Sequence, residues 1–373
     1  MKKLQLIIAD TDSLYLRSFG EYILSSKLNQ KFDIKLFSNS DSLKQYIESE
    51  QPIDIILIQP NLFDREQFLE YKGIVLFLLE DESAQNKDRK GVFKYKPLNQ
   101  LLSSTLSAYY EHHASLTGIA GNAGKTKVVS VYSPAGGTGK TTFAASIGRQ
   151  LAQKGNKVFY LNFELFNSTS LYFHSNEDSP SLQILYYLKA KPSQLLSKIE
   201  ALKKYDSDSN IDYFDLPPCP DEMIAIKKED VKILIQALIE TGQYDYILID
   251  LDSSVHEFTL AAFEESHQIM WLLNNDVQSF YKTAHMLQLQ QELFDHPHLI
   301  EGKAVFIVNR FTGYFPEEFR SFNLPIHGYL PYVQEWAQVT GRNQIYYHPL
   351  YTKELMTITN ELTERNQAGV QID

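Results

Sequence analysis

Residues 128–155 read VVSVYSPAGGTGKTTFAASIGRQLAQKG. Val128–Tyr132 is rich in β-branched and apolar residues, as a buried strand requires. Ser133–Gly139 follows with three glycines, and then Phe143, Ile147 and Leu151 fall on one helical stripe that stops at Gly155. A strand, a glycine-rich turn and a helix in that order make a phosphate cradle. Successive backbone N–H groups converge at the helix N-terminus, and glycines let phosphate oxygens approach the chain closely. Gly136, Gly137 and Gly139 supply that backbone, with Thr138 between them. Lys140 supplies the charge, Thr141 the hydroxyl that holds a divalent cation, and Thr142 beside it is a further cofactor-binding candidate. The strict G-x-x-x-x-G-K-[ST] spacing is not met, because Pro134 stands where its first glycine would fall.

Outward from this segment, residues 127–373 alternate strands and helices. Val158–Phe163, Tyr246–Asp250, Ile269–Leu273 and Ala304–Val308 read as further strands. Residues 181–240 read as a mostly helical insertion broken at 206–210 (DSDSN) and 216–220 (LPPCP). Residues 1–114 alternate as well, with strands expected at Leu4–Ala9, Phe32–Phe37, Ile53–Ile58, Ile74–Leu79 and Val92–Tyr95. The sequence therefore predicts two α/β units, each a doubly wound, mostly parallel sheet, joined by a linker over 115–126. The linker spells Gly124-Lys125-Thr126, but no strand precedes it and no helix pattern follows, so it reads as linker.

The formal net charge of -11 disfavours nucleic acid and anionic membrane as partners. Cys219 is the only cysteine, so no intrachain disulfide can form, and a reducing, cytoplasmic setting is expected. MKKLQLIIADTD reaches Asp10 after a short apolar run and reads as a strand, not a signal peptide. The longest apolar run is about six residues, far short of the roughly 18 needed to span a bilayer. His112-His113 and His296-Pro297-His298 lack a third ligand at metal spacing and read as solvated surface.

At Ala135-Gly136-Gly137-Thr138-Gly139-Lys140-Thr141 the chain resembles the deviant P-loop of the MinD/ParA ATPases, K-G-G-x-G-K-[ST]. QYDYILIDLDSS (243–254) resembles that family's Walker B strand, which makes Asp250 the acid that holds Mg²⁺ through water beside Thr141. VNR (308–310) resembles the adenine-reading segment, with Asn309 and Arg310, and LPY (330–332) the loop that brings Pro331 over the base. The resemblance implies ATP and Mg²⁺ as cofactors, a homodimer as the working state, and Lys140, Glu164 and Asp250 as catalytic residues. Three departures bear on turnover. Ala135 replaces a lysine that in the family crosses the dimer interface onto the partner's phosphates, Asn162-Phe163-Glu164 replaces Asp-x-Asp, and Asp252-Ser253-Ser254 replaces Pro-Pro-Gly. A cation supplied in trans to a phosphoryl-transfer transition state is worth about 10³–10⁵ in rate. Tight binding with slow turnover is therefore expected.

Residues 1–114 resemble a response-regulator receiver, flavodoxin-like in fold. Asp10 and Asp12 follow the first strand and Lys96-Pro97 the fifth, but Gln59 stands where the phosphoacceptor aspartate belongs and Glu80 where a small hydroxyl residue belongs. The unit is expected to be a pseudo-receiver kept for protein contacts. A receiver-like unit ahead of a MinD/ParA-like ATPase is similar to the TadZ/CpaE proteins. That resemblance implies a switch that localises and helps assemble a tight-adherence (Flp-type) pilus or secretion apparatus at a cell pole. Its expected partners are pilus or secretion machinery proteins or polar landmark proteins. A positioning or partitioning ATPase with another cargo, or a metabolic P-loop enzyme, is the alternative. The tail ELMTITNELTERNQAGVQID (354–373) shows neither the basic surface of a DNA-segregation ATPase nor the basic amphipathic helix of a membrane shuttle.

Overall fold

A computed structural model describes residues 3–26, 29, 32–49, 52–64, 71, 73–80, 91–116, 126–175, 181–216, 220–294, 299–338, 341–346 and 348–368. Residues 117–125 of the expected linker, Cys219, His296 and His298 lie outside these residues. Packing divides the chain into two compact units, residues 1–119 with 196–201, and 120–195 with 202–373.

The first unit holds five strands, β1 (Leu4–Ala9), β2 (Phe32–Phe37), β3 (Ile55–Ile58), β4 (Ile74–Leu79) and β5 (Gly91–Phe93). They form one parallel sheet in the order β2-β1-β3-β4-β5, which is the flavodoxin-like doubly wound order. β3 reads IILI and is buried along its whole length, because a central parallel strand is covered on both faces. One face packs under α1 (Ser13–Ser25), with Leu16, Phe19 and Ile23 against Leu6 and Leu57, and the other under α2 (Ser40–Glu48), with Leu43 near Ile7 and Ile56. Asp12 and Asn39 cap the two helices through their side-chain oxygens. α3 (Leu98–Leu116) closes the first face with Leu101, Leu102 and Leu106.

The second unit contains β6 (Lys127–Tyr132), α4 (Lys140–Gln153), β7 (Val158–Asn162), β8 (Lys204–Asp206), β9 (Ile211–Tyr213), β10 (Tyr246–Asp250), β11 (Gln268–Asn274), β12 (Ala304–Phe311) and β13 (Ile326–Pro331). The sheet order is β13-β12-β11-β6-β10-β7-β9-β8, parallel throughout except at β8–β9. β6 therefore lies in the middle, and the turn after it opens at the carboxyl ends of the strands, where doubly wound sheets bind ligands. The expected stripe of α4 is fully buried at Phe143, Ile147 and Leu151. Each such side chain contributes roughly 1.5–3 kcal/mol by leaving water. Gly148 sets the helix-to-sheet distance, since a Cβ there would lie 3.0 Å from Leu248 Cδ1 and 3.1 Å from Ile211 Cδ1.

Two expectations need correction. The 181–240 stretch is not only a helical insertion. Its DSDSN break is the turn of a hairpin, β8–β9, whose second strand pairs with β7 and extends the main sheet. Strands of three residues are too short to show a period of two. The turn is held by Asp206, which accepts from the Ser209 and His174 amides, and by Asn210 in the left-handed region at φ 57°. LPY likewise lies at the end of a further parallel strand, β13, which sequence patterning did not separate from the adjoining loop.

Candidate functional site

The turn between β6 and α4 has the geometry of a cradle. Gly137 (φ 69°) and Gly139 (φ 85°) adopt left-handed backbone, and a Cβ on Gly136 or Gly137 would meet nothing within 4 Å. The concavity in front of the turn is thus open space. Gly139 is tighter, because a Cβ there would lie 2.7 Å from Asn309 Nδ2. Lys140 is buried (7% exposed), and its Nζ donates to Ser253 Oγ at 2.8 Å. Ser253 Oγ in turn donates to the Ala135 carbonyl at 3.0 Å. The loop after β10 thereby holds both the lysine and the backbone of the cradle. Thr138 is fully buried with no partner for Oγ1. Thr142 Oγ1 shares a 2.8 Å hydrogen bond with Tyr172 OH.

The acidic side is built by β10 and β7, whose ends pair Asp250 with Asn162. Asp250 is fully buried. Its Oδ2 accepts from Tyr160 OH at 2.8 Å and from Asn162 Nδ2 at 3.4 Å, while Oδ1 has no partner. Burial, followed by the nearby Glu164 charge, pushes the Asp250 carboxyl up to about 7. Burial also raises Glu164, against the opposing charge of Lys140. Thr141 Oγ1 donates to Glu164 Oε2 at 3.3 Å, and the Asn162 side chain accepts from the Glu164 amide at 2.7 Å. Burial and Asp250 together hold Tyr160 far above the usual phenol range, so it stays a donor. No group of three or more His, Cys, Asp or Glu side chains suited to a metal occurs among the described residues. Mg²⁺ does not need one, since it keeps several waters and takes one or two protein oxygens beside substrate phosphates. The unpartnered Asp250 Oδ1, the Thr141 hydroxyl and the open glycine cradle fit Mg²⁺ and a nucleotide's phosphates.

Asn309 is tied to the cradle. Its Nδ2 donates to the Thr138 carbonyl at 2.8 Å, which braces the cradle, and its Oδ1 accepts from the neighbouring Arg310 amide at 2.9 Å. Arg310 is exposed with φ 55°, at an irregularity where β12 and β13 slip register between Val308 and Phe311. Pro331 ends β13 opposite Phe311, and no hydrogen bond joins Arg310 or Pro331 to the cradle among the described residues. Ala135 is buried (6% exposed), with its amide donating to Ser133 Oγ. Ser253, Tyr160 and Asn162 were not singled out in the sequence as a latch on the lysine or as partners of the acid. Tyr160-x-Asn162 at a strand end beside the Asp250 strand is the signal that could have found the last two.

In the first unit, Asp10 is fully buried and forms a 2.7 Å ion pair with Lys94, which is 3% exposed. The lysine paired with this acid is thus Lys94, two residues before the Lys96-Pro97 pair that follows the fifth strand. Gln59 Oε1 accepts from Thr11 N at 3.0 Å and Thr11 Oγ1 at 2.8 Å. Asp12 is spent on capping α1, and Asp54 Oδ2 accepts from the Gln5 amide at the other end of the sheet.

Residues 126–295 match a family model described as an AAA domain. No curated protein matches the chain. Among solved structures, a ParA family ATPase from Chlorobium tepidum TLS aligns with a TM-score of 0.54 at 20% identity, over 64% of this chain and 99% of that one. The cell division ATPase MinD of Pyrococcus furiosus aligns at 0.50 and 18%, over 64% and 99%. The septum site-determining protein MinD of Pyrococcus horikoshii OT3, solved with Mg-ADP, aligns at 0.47 and 18%, over 66% and 99%. The fold of the larger unit is that of the ParA and MinD ATPases, a parallel-sheet P-loop core with its glycine turn at the centre of the sheet.

Proposed function

We propose that the chain is a Mg-ATP-binding switch of the positioning or partitioning type, slow in hydrolysis and working as a homodimer. The observation that carries this reading is Asp250. It is a fully buried carboxylate with one oxygen unpartnered, close enough to Lys140 and Glu164 for both to act on its charge, beside an open glycine cradle. Such an oxygen is costly to bury without a partner. In this reading Lys140 leaves Ser253 for the phosphates, Gly136–Thr141 presents its amides to them, and Asp250 and Thr141 hold the cation's shell. Mg²⁺, when bound, neutralises charge on the phosphate oxygens. Glu164 orients the attacking water and takes its proton. Ala135 contributes no cation, which leaves ground-state binding intact and withholds the stabilisation specific to the transition state.

The receiver-like first unit, placed ahead of the ATPase as in TadZ/CpaE proteins, supports a tight-adherence pilus apparatus at a cell pole as the cargo. That support is domain order alone, so the coarser positioning or partitioning role is the reading we favour. Calorimetric titration with Mg-ATP, paired with sedimentation with and without it, tests the switch. Saturable, Mg²⁺-dependent binding and an ATP-dependent rise in mass are expected, and a well-folded chain that binds no nucleotide would overturn the reading.

A further inference from the structure

The small sheet of the first unit has an open margin. β2 pairs with β1 on one side, and no strand covers its other side among the described residues. Successive residues of a strand turn their backbone N–H and C=O groups to opposite neighbours. The Phe37 carbonyl accepts from the Asp10 amide at 3.0 Å, so Phe37, Lys35 and Asp33 address β1. Phe32, Ile34 and Leu36 therefore direct their backbone groups outward, where a strand of another molecule can meet them. This margin is complementary to itself. Asp33 and Lys35 stand symmetrically about Ile34, both exposed and both on the face that carries Tyr46 of α2. In an antiparallel pair of β2 strands centred on Ile34, each Asp33 lies directly opposite the other copy's Lys35, and each Phe32 opposite Leu36. The Ile34 pair and both Phe32–Leu36 pairs are then of the hydrogen-bonded kind, which satisfies every outward group of the three residues. Asp33 Oδ2 accepts from Gln5 Nε2 at 2.8 Å, and Lys35 has no ion-pair partner among the described residues. A margin blunted by charge alone would be served equally well by two lysines.

α1 repeats the symmetry. Leu14, Arg17, Glu21 and Leu24 follow at spacings of three, four and three residues, an exposed stripe beside the helix's buried face. Leu14 and Leu24 are 76% and 64% exposed, and Arg17 meets Glu21 within the helix. The stripe is symmetric about Phe19, with leucines at its ends and opposite charges between them. The two centres lie together, since a Cβ on Gly20, next to Phe19, would sit 3.1 Å from Leu36 Cδ1 and 3.9 Å from Ile34 Cδ1. We propose that two copies of the chain pair through β2 and α1 of the first unit, as a closed two-fold dimer that needs no nucleotide. One axis through the Ile34 pair joins the strands and keeps both α1 helices on the same face of the joined sheet. Leu14 then turns toward the other copy's Leu24, and Arg17 toward its Glu21. One short strand and one helix stripe make a small interface, of the weak class below about 1,200 Å². Pairing is therefore expected at tens of micromolar and not at about 1 µM, where the ATP-dependent rise in mass is to be read.

The test is sedimentation of the full chain, free of nucleotide, from roughly 1 to 200 µM. Wild type should pass from monomer to dimer. Lys35→Asp and Asp33→Lys each set like charges opposite one another twice, and each should raise the dimer Kd about tenfold. The double variant, Asp33→Lys with Lys35→Asp, restores opposite charges and should return to within about threefold of wild type. An equimolar mixture of the two single variants should associate where neither does alone, because one margin then carries two lysines and the other two aspartates. Arg17→Glu, with and without Glu21→Arg, repeats the cycle on the helix. All four positions are exposed, so melting of each variant should match wild type. Three results overturn the proposal: a wild type still monomeric at about 200 µM, single reversals that leave association unchanged, or a double variant and mixture that fail to restore it. A chain that pairs in this way but binds no nucleotide refutes the nucleotide reading alone.

Discussion

Replacing Asp250 with asparagine isolates the charge at the centre of the candidate site. In the folded chain without Mg²⁺ the carboxyl is pushed up to about 7 from an ordinary 3.8, chiefly by burial. A raised carboxylate favours the protonated form, so its contribution to stability is full below about pH 4 and is lost as pH rises through about 7. The gap of about three pH units corresponds to a loss on the order of 4 kcal/mol by pH 8. Asp250→Asn carries no charge at any pH. At low pH both side chains are uncharged and can keep an acceptor at Oδ2 and a donor at Oδ1 (one O–H in the acid, an NH₂ in the amide), so the variant and wild type should melt close together at pH 4. At pH 8 the variant should be more stable by that few kcal/mol. At about 2–4 °C per kcal/mol for a unit of this size, the difference is on the order of 10 °C. Both tryptophans of the chain, Trp271 and Trp336, lie in the second unit, so tryptophan fluorescence follows its melting alone. Adding Mg-ATP at pH 8 should stabilise wild type and do much less for the variant, because the cation takes the place of the proton. Melting curves that run parallel from pH 4 to 8 would refute the buried-charge account.

Lys140→Ala should abolish the nucleotide-induced stabilisation, which at about 100 times Kd amounts to roughly 2.7 kcal/mol in the parent chain, as read by a melting shift with Mg-ATP. Ala135→Lys should raise ATP hydrolysis and make it climb with protein concentration; because Ala135 is buried, the melting temperature must be recorded beside the rate. Gly139→Ala should cripple nucleotide binding in titration, since it combines φ 85° with a 2.7 Å approach to Asn309 Nδ2. Lys94→Ala should destabilise the first unit by about 3–5 kcal/mol in urea unfolding, because it strands Asp10 in the interior. Acetyl phosphate with Mg²⁺ should leave the first unit unmodified by mass, since Gln59 presents an amide already engaged by Thr11.

What was legible in the sequence was contiguous. The strand, turn and helix of 128–155 declare themselves because strand period, glycines and helical stripe follow one another without interruption. The five strands of the first sheet were readable for the same reason, as β-branched runs bounded by polar turns. Contacts made across the chain were not. Lys94 meets Asp10 over 84 residues, Lys140 meets Ser253 over 113 and Asn309 meets Thr138 over 171. No local pattern marks Lys94 as the partner of Asp10, or Asn309 as the side chain that reaches the Thr138 carbonyl. The hairpin β8–β9 escaped because three residues carry no period and its stability comes from pairing with β7.

The hairpin has a bearing on how copies of the chain can meet. It ends the large sheet in a three-residue strand, β8, whose Lys204 is tied to Asp215 and whose terminal Asp206 is buried. At the opposite margin β13 closes with Pro331, which has no amide hydrogen to donate, after two slips of register. Short length, charge, proline and irregular pairing each spoil a sheet margin as a template for another strand. Self-association by lengthening the sheet is thereby disfavoured at both ends, which guards a concentrated pool of the chain against runaway fibre growth. In this unit a reversible pairing of two copies is left to loops and helices, surfaces whose contacts a small ligand can make or undo.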